Sequence, residues 1–270
     1  MRKKLTLVIG LLMLCACTPA EQIQDTSVTP DKLRIAVASN FYPTLSILLT
    51  QHTLLNEQIT LIHGSTGTLY AQITHGAPFD VFLAADEHSV SALMDAQLLE
   101  YSVNYAQGEL VLWPVEKAAQ KKPISTTLIE IRRATNNKIA IADPQLAPYG
   151  LAAQQTLVAL GIYEQMSAQL VIGNNVNQAF QFVDTHNAAI GLLAKSQLIA
   201  AAAQHTDDAQ RYQQLVAIPA HLHQPIIQQA GILTRTQQLS LAQHFMAWLM
   251  SDTIQQQLPA HGYISGKRTP

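Results

Sequence analysis

Residues 33–75 read LRIAVASNFYPTLSILLTQHTLLNEQITLIHGSTGTLYAQITH. Two periods alternate along them. LRIAVA (33–38) is a short apolar run of the kind a buried strand makes, and residues 41–52 space their apolar side chains as one face of a helix. ITLIH (59–63) returns to a strand and residues 69–75 to a helix. The pattern then repeats, with a strand over 81–84 and a helix over 89–98. Such alternation predicts a mainly parallel sheet with helices on both faces.

ELVLW (109–113) breaks the rhythm and reads as a crossing strand. A second series follows, with strands over 138–142, 170–173 and 188–193 and helices over 150–160, 176–185 and 195–203. QQAGILT (228–234) reads as the return crossing, and residues 239–250 as an amphipathic helix closing the first series. Two α/β lobes joined by two crossings make a hinged clamshell. The predicted divisions are lobe 1 over 32–108 and 220–270 and lobe 2 over 109–219. Ligands in open α/β sheets bind beyond the carboxyl ends of the strands, and a clamshell turns both such edges toward one cleft.

A chain of 270 residues suits two lobes, and 48% hydrophobic residues supply their cores. With 13% charged residues and a formal net charge of −2, nothing predicts a basic nucleic-acid surface. The N-terminus carries Arg2, Lys3 and Lys4, then an apolar stretch over 5–14 that matches a signal-peptide core and is too short to span a bilayer. It ends in Leu14-Cys15-Ala16-Cys17, which resembles a bacterial lipobox. The expectation is a signal peptide over 1–16, a lipid anchor on Cys17 and a polar tether over 17–31. Cleavage before Cys17 leaves no free thiol, and so no disulfide and no zinc–thiolate site. The protein is expected outside the cytoplasm, on the periplasmic side, as a membrane-anchored monomer.

The polar turns after the strands hold the chemistry. Ser39-Asn40 follows the first strand, Gly64-Ser65-Thr66-Gly67 the second, residues 144–150 the strand at 138–142, and Asn174-Asn175-Val176 the strand at 170–173. Each opens a helix. Helix starts present unpaired N–H groups and a partial positive charge, which suits an anion. The same residue types are also ordinary N-caps, so one such turn means little; four converging turns mean more. No Lys or Arg falls in these turns, so the predicted site binds by neutral donors alone. A fully deprotonated tetrahedral dianion is acceptor-only and wants donors only, whereas phosphate near neutral pH benefits from a carboxylate. Asp143 beside the third turn keeps that alternative open.

The segments VASNFYPTL, HGSTGTLYAQITHGAPFDVFLAADE, YAQGELVLW, IADPQLAPYGLAAQQTL and AAIGLLAKSQL resemble the periplasmic molybdate-binding protein family, from about residue 33 to 263. GAPFDVFLAAD (76–86) is the most specific of them. The resemblance implies a type II periplasmic-binding-protein clamshell that captures molybdate or tungstate for an ABC permease, with no catalysis and no cofactor. It also implies an oxyanion site made by Asn40 with Ser39 beside it, Thr66 beside Ser65, and the backbone N–H of Val176. One branch of the family adds a Tyr near position 194, where this chain has Ala194. Another branch places a Tyr in a PYG segment, matched by Pro148-Tyr149-Gly150, so Tyr149 is carried over. Sulfate, phosphate or another oxyanion in the same fold stays open, as does an anion-sensing lipoprotein without a transport role.

Other motifs are set aside. HGSTG (63–67) is out of frame with the Gly-x-Ser-x-Gly of hydrolases. His221 and His223 lack the further ligands a metal site needs. Asp80 and Asp86 flank a strand as a conceivable acid pair, with Asp86 better suited to capping the next helix.

Overall fold

The computed structural model describes residues 32–117, 119–133 and 138–266. The expected signal peptide, tether and Cys17 lie outside the described residues. The first of two sheets holds β1 (Leu33–Ala38), β2 (Ile59–Gly64), β3 (Val81–Leu83), β4 (Leu99–Gly108), β10 (Ile226–Leu233) and β11 (Tyr263–Ser265), in the order β11-β4-β10-β3-β1-β2. The second holds β5 (Leu110–Trp113), β6 (Ile139–Ala142), β7 (Leu170–Gly173), β8 (Ile190–Ala194) and β9 (Val216–Ala217), in the order β7-β6-β8-β5-β9.

Helices α1 (Tyr42–Thr50), α2 (Thr53–Gln58), α3 (Thr66–Thr74), α4 (His88–Asp95), α11 (Leu239–Leu249) and α12 (Asp252–Gln255) accompany the first sheet. Helices α5 (Ile124–Arg133), α6 (Pro148–Ala159), α7 (Tyr163–Met166), α8 (Val176–Asp184), α9 (Lys195–Gln204) and α10 (Ala209–Tyr212) accompany the second. Among the described residues no helix is long and apolar enough to cross a membrane.

The sheets are mixed. β2-β1-β3 and β7-β6-β8 pair in parallel. Every antiparallel pairing involves β4, β5 or β10, the strands next to the two crossings. β4 ends at Gly108 and β5 begins at Leu110, so one crossing is a single residue long.

Strand alternation sorts the cores. In β1, Ile35 and Val37 face a cluster with Phe41 and Phe245, while Ala36 faces the opposite cluster with Leu69, Phe82 and Val90. In β6, Ile139 and Ile141 pack on Ala153 and Leu157 of α6, and Ala140 on Ala179 and Val183 of α8. Each sheet is therefore covered by apolar helix faces on both sides, as its strand–helix alternation requires. The close fit of α6 on β6 depends on Gly150, where a Cβ would meet the carbonyl oxygen of Ala142 and lie 2.7 Å from its carbonyl carbon.

Candidate functional site

Four strand ends deliver the predicted residues. β1 stops at Ala38, and the Ser39 N–H turns to the Gly64 carbonyl at the end of β2, 2.9 Å away. That bond ties the first turn to the second. In the second turn Ser65 caps α3, its Oγ accepting from the Thr68 N–H at 3.4 Å and lying 2.7 Å from the Thr68 hydroxyl. Thr66 is the first helical residue, and its Oγ1 accepts from the Ala85 N–H at 3.0 Å just beyond β3. A hydroxyl that accepts in this way keeps its own proton for another partner.

Beyond β6, Pro148 occupies the first position of α6, where its missing N–H costs nothing. Tyr149 follows and is 1% exposed. Beyond β7, Asn175 caps α8 by accepting from the Gln178 N–H at 3.0 Å, so the Val176 N–H stands at the first helical position with no acceptor inside the helix. Ser39, Asn40, Ser65, Thr66, Tyr149 and Val176 are all buried.

These turns come from both sheets and are bonded across the gap. The Gly67 N–H at the start of α3 donates to the Leu146 carbonyl, two residues before α6, at 2.8 Å. The Ser196 hydroxyl of α9 donates to the Asn40 carbonyl at 3.2 Å. Its neighbour Gln197, with its amide oriented to satisfy both contacts, donates to the Val176 carbonyl at 3.1 Å and accepts from the Asn177 N–H at 3.0 Å. Gln228 of β10 donates to the Tyr149 hydroxyl at 3.3 Å and accepts from Asn40 Nδ2 at 3.0 Å. All four turns thus belong to one connected set.

Sequence reasoning missed the residues that connect them: Gln228, Tyr105, Tyr263, Ser196 and Gln197. Tyr263 donates to the Asn40 carbonyl at 2.7 Å, and Tyr105 donates to Gln228 Oε1 at 2.8 Å. The one local signal was the Gln228-Gln229 pair, polar residues inside the apolar run of strand β10. Burial holds the phenols of Tyr105 and Tyr149 well above the usual range, with the neighbouring Tyr263 adding to the shift. Burial likewise raises Tyr263. The site's hydroxyls are therefore neutral donors.

One buried polar atom stands out. Among the described residues the Ser39 hydroxyl has no hydrogen-bond partner, although leaving such a group unpaired costs about 1–3 kcal/mol. Charge is absent from the linked set. The Glu109 carboxylate, paired with Lys195 at 2.8 Å, stands close enough to add to the upward shift of the Tyr149 phenol. The Asp143 carboxylate is turned back to the Gln145 N–H at 2.8 Å, closing its own turn. Asp86, one residue before the α4 cap position, accepts from the Ser89 N–H in the first turn of α4 at 2.8 Å, and burial raises its pKa. Asp80 holds the Arg34 N–H and the Thr236 hydroxyl, both at 2.7 Å. These two acids are occupied separately. His221 lies in a 3-10 turn, Ala220–Leu222, and the described residues contain no group of three metal-type ligands.

Two clefts reach this region. One of about 540 Å³ touches Gly67, Asp86, Leu146 and Pro148; another of about 480 Å³ touches Ser39, His63 and Asn177. Asn40, Thr66 and Tyr149 line neither of them.

The arrangement has relatives. Residues 33–264 match the family described as bacterial extracellular solute-binding protein. The molybdate-binding protein ModA of Rhodobacter capsulatus is 32% identical, covering 85% of this chain and 87% of its own length. Its namesake from Azotobacter vinelandii is 31% identical over 96% of both chains. The solved structure of the Azotobacter vinelandii periplasmic molybdate-binding protein superposes with a TM-score of 0.75 at 32% identity, covering 86% of this chain and 99% of that one. The two-sheet clamshell, its strand-end turns and these identities agree: the chain belongs to the bacterial extracellular solute-binding proteins, within the periplasmic molybdate-binding protein family.

Proposed function

We infer that this protein captures a tetrahedral oxyanion, molybdate or tungstate, outside the cytoplasm and presents it to an ABC permease. The observation that carries the reading is the linked set of buried, uncharged donors at four strand-to-helix turns, with the Ser39 hydroxyl left unpaired. The donors assigned to the anion are the hydroxyls of Ser39, Thr66 and Tyr149 and the backbone N–H groups of Asn40 and Val176. Both Asn40 Nδ2 protons are engaged by Gln228 and Tyr263, so the Asn40 side chain serves to hold the turn. Ser65 serves chiefly as the α3 cap. Among the described residues no carboxylate belongs to the linked set, Asp86 and Glu87 lining only the adjoining cleft, and this favours a dianion over protonated phosphate.

The reading divides the body into lobe 1 (32–108 and 220–270) and lobe 2 (109–219), closing about the two crossings as hinged binding proteins do. The Gly67–Leu146 and Ser196–Asn40 bonds would then be contacts of the closed form. The protein acts as a monomer held to the membrane through a lipid on Cys17. Its role is binding and not catalysis: HGSTG supplies no activated nucleophile, since Ser65 bonds within its own helix start. Calorimetric titration with molybdate, tungstate, sulfate and phosphate tests the ligand. Tight one-to-one binding of the first two with far weaker sulfate is expected; preference for sulfate or phosphate would overturn the assignment.

Ser39→Ala separates binding from folding. Its hydroxyl contributes no protein hydrogen bond among the described residues, so thermal unfolding is expected to be unchanged or slightly improved. Molybdate affinity should fall by about 1.5–3 kcal/mol, the worth of a hydrogen bond to a charged group. Equal affinity in the variant would remove Ser39 from the site.

A further inference from the structure

The geometry points to Gln228 as the residue that makes Tyr149 a donor toward the anion, a positioning role that rests on the oxyanion reading above. Gln228 is fully buried on β10. The β4–β10 register shifts beside it: Gln228 pairs with Ala106 and Gln229 with Asn104, so Tyr105 is the extra residue of β4. Such a bulge re-aims a side chain, and here the Tyr105 hydroxyl meets Gln228 Oε1 at 2.8 Å. The Tyr105 carbonyl accepts from Gln255 Nε2 at 3.1 Å and from the Gly266 N–H beyond β11 at 3.3 Å.

Proton counting fixes the rest. The Tyr263 hydroxyl spends its proton on the Asn40 carbonyl at 2.7 Å. Its oxygen can then only accept, and it does so from Asn40 Nδ2 at 3.2 Å. The second Nδ2 proton goes to Gln228 Oε1 at 3.0 Å. With Oε1 fixed as the acceptor of Asn40, and of a Tyr105 proton shared with the Ala84 carbonyl at 3.2 Å, Nε2 is the end that faces Tyr149, 3.3 Å from its oxygen. Tyr149 therefore accepts from the protein and keeps its own proton for the ligand. A reversed amide would draw that proton away and present a lone pair to a dianion.

The test exchanges a donor for an acceptor. In Gln228→Glu, the ionised carboxylate can only accept, so Tyr149 turns its proton to it; the protonated acid can still donate. Burial places the titration of such a carboxyl above the ordinary value of about 4.3. The other titratable groups in range are the phenols of Tyr105, Tyr149 and Tyr263 and the carboxylates of Asp86 and Glu109. Their effect is removed by comparing each variant with its Gln228 parent at the same pH.

Molybdate titration of the full chain between about pH 5.5 and about pH 8.5 should show the Gln228→Glu affinity, relative to wild type, falling about tenfold or more as pH rises. In the Tyr149→Phe background most of that fall should vanish, leaving only direct repulsion between the carboxylate and the anion. A fall of equal size with and without the Tyr149 hydroxyl, or no fall at all, overturns the role. Gln228→Met gives a charge-free check: its loss should overlap with that of Tyr149→Phe, and fully additive losses overturn the coupling. Failure of the wild-type chain to bind molybdate would instead overturn the ligand assignment.

Discussion

Gly108→Ala is expected to lower oxyanion affinity by roughly 100-fold, about 3 kcal/mol, together with a smaller loss of thermal stability of about 1–2 kcal/mol. Gly108 ends β4 at the one-residue crossing, and Tyr149 of α6 lies directly against it. A Cβ there would collide with the Tyr149 hydroxyl oxygen, lie 2.8 Å from Cζ and 2.9 Å from Gln228 Nε2. Contacts that short force something to shift. The movable party is the tip of the Tyr149 ring, and its displacement breaks the Gln228 contact and misdirects the donor in one step. The strand itself prefers Ala to Gly by about 0.5–1 kcal/mol, which offsets part of the steric cost to stability. Calorimetric titration beside a thermal melt reads both quantities. Unchanged affinity would mean that the Tyr149 hydroxyl makes no contact with the anion.

The strand ends were legible because their signals are local. LRIAVA declares a buried strand and Gly64-Ser65-Thr66 a capped helix, and β1 and α3 lie there; ITLIH forms β2, but as a half-exposed edge strand, and the helix after Ser39-Asn40 has no side-chain cap. The first helical turns were read late. α3 begins at Thr66 and α6 at Pro148, where the Ser65 cap and the proline at the first position were the usable marks. β4 was not read as a strand: LEYSVNYAQG leaves Glu100 and Tyr101 exposed, so it shows no continuous apolar run. Helix α5 was missed as well, its apolar residues being few and separated by Ser, Thr, Glu and Arg. The network behind the turns was beyond local reading altogether. Gln228 meets Tyr105 across 123 positions and Asn40 across 188, and no periodicity reports a pairing at that distance. The position of Asn40 was therefore legible while the commitment of its amide protons to Gln228 and Tyr263 was not.

Tyr149→Phe is expected to weaken molybdate binding by about 1.5–3 kcal/mol, roughly 10- to 150-fold. The phenyl ring keeps its packing among Leu110, Leu192 and Ile226, so the loss belongs to the hydroxyl. Most of it should fall on the dissociation rate, as interface changes generally do. The pH profile adds a second, signed expectation. Burial first, and then Tyr263, hold the Tyr149 phenol well above its usual range, so in the folded protein it still donates at about pH 10, where a free tyrosine is half ionised. Wild-type affinity should therefore not fall as pH approaches 10. The same shift sets the limit of the measurement. A phenol raised on folding contributes stability that is complete below the unfolded value and is lost as pH rises above it, and Tyr105, Tyr149 and Tyr263 all act in that sense. Alkaline unfolding is thus expected to begin above about pH 10 and to move upward in Tyr149→Phe, which has one fewer buried phenol to ionise. A variant that lost affinity without that upward shift would show the Tyr149 hydroxyl to be solvated in the folded state, and its place among the buried donors would have to be given up.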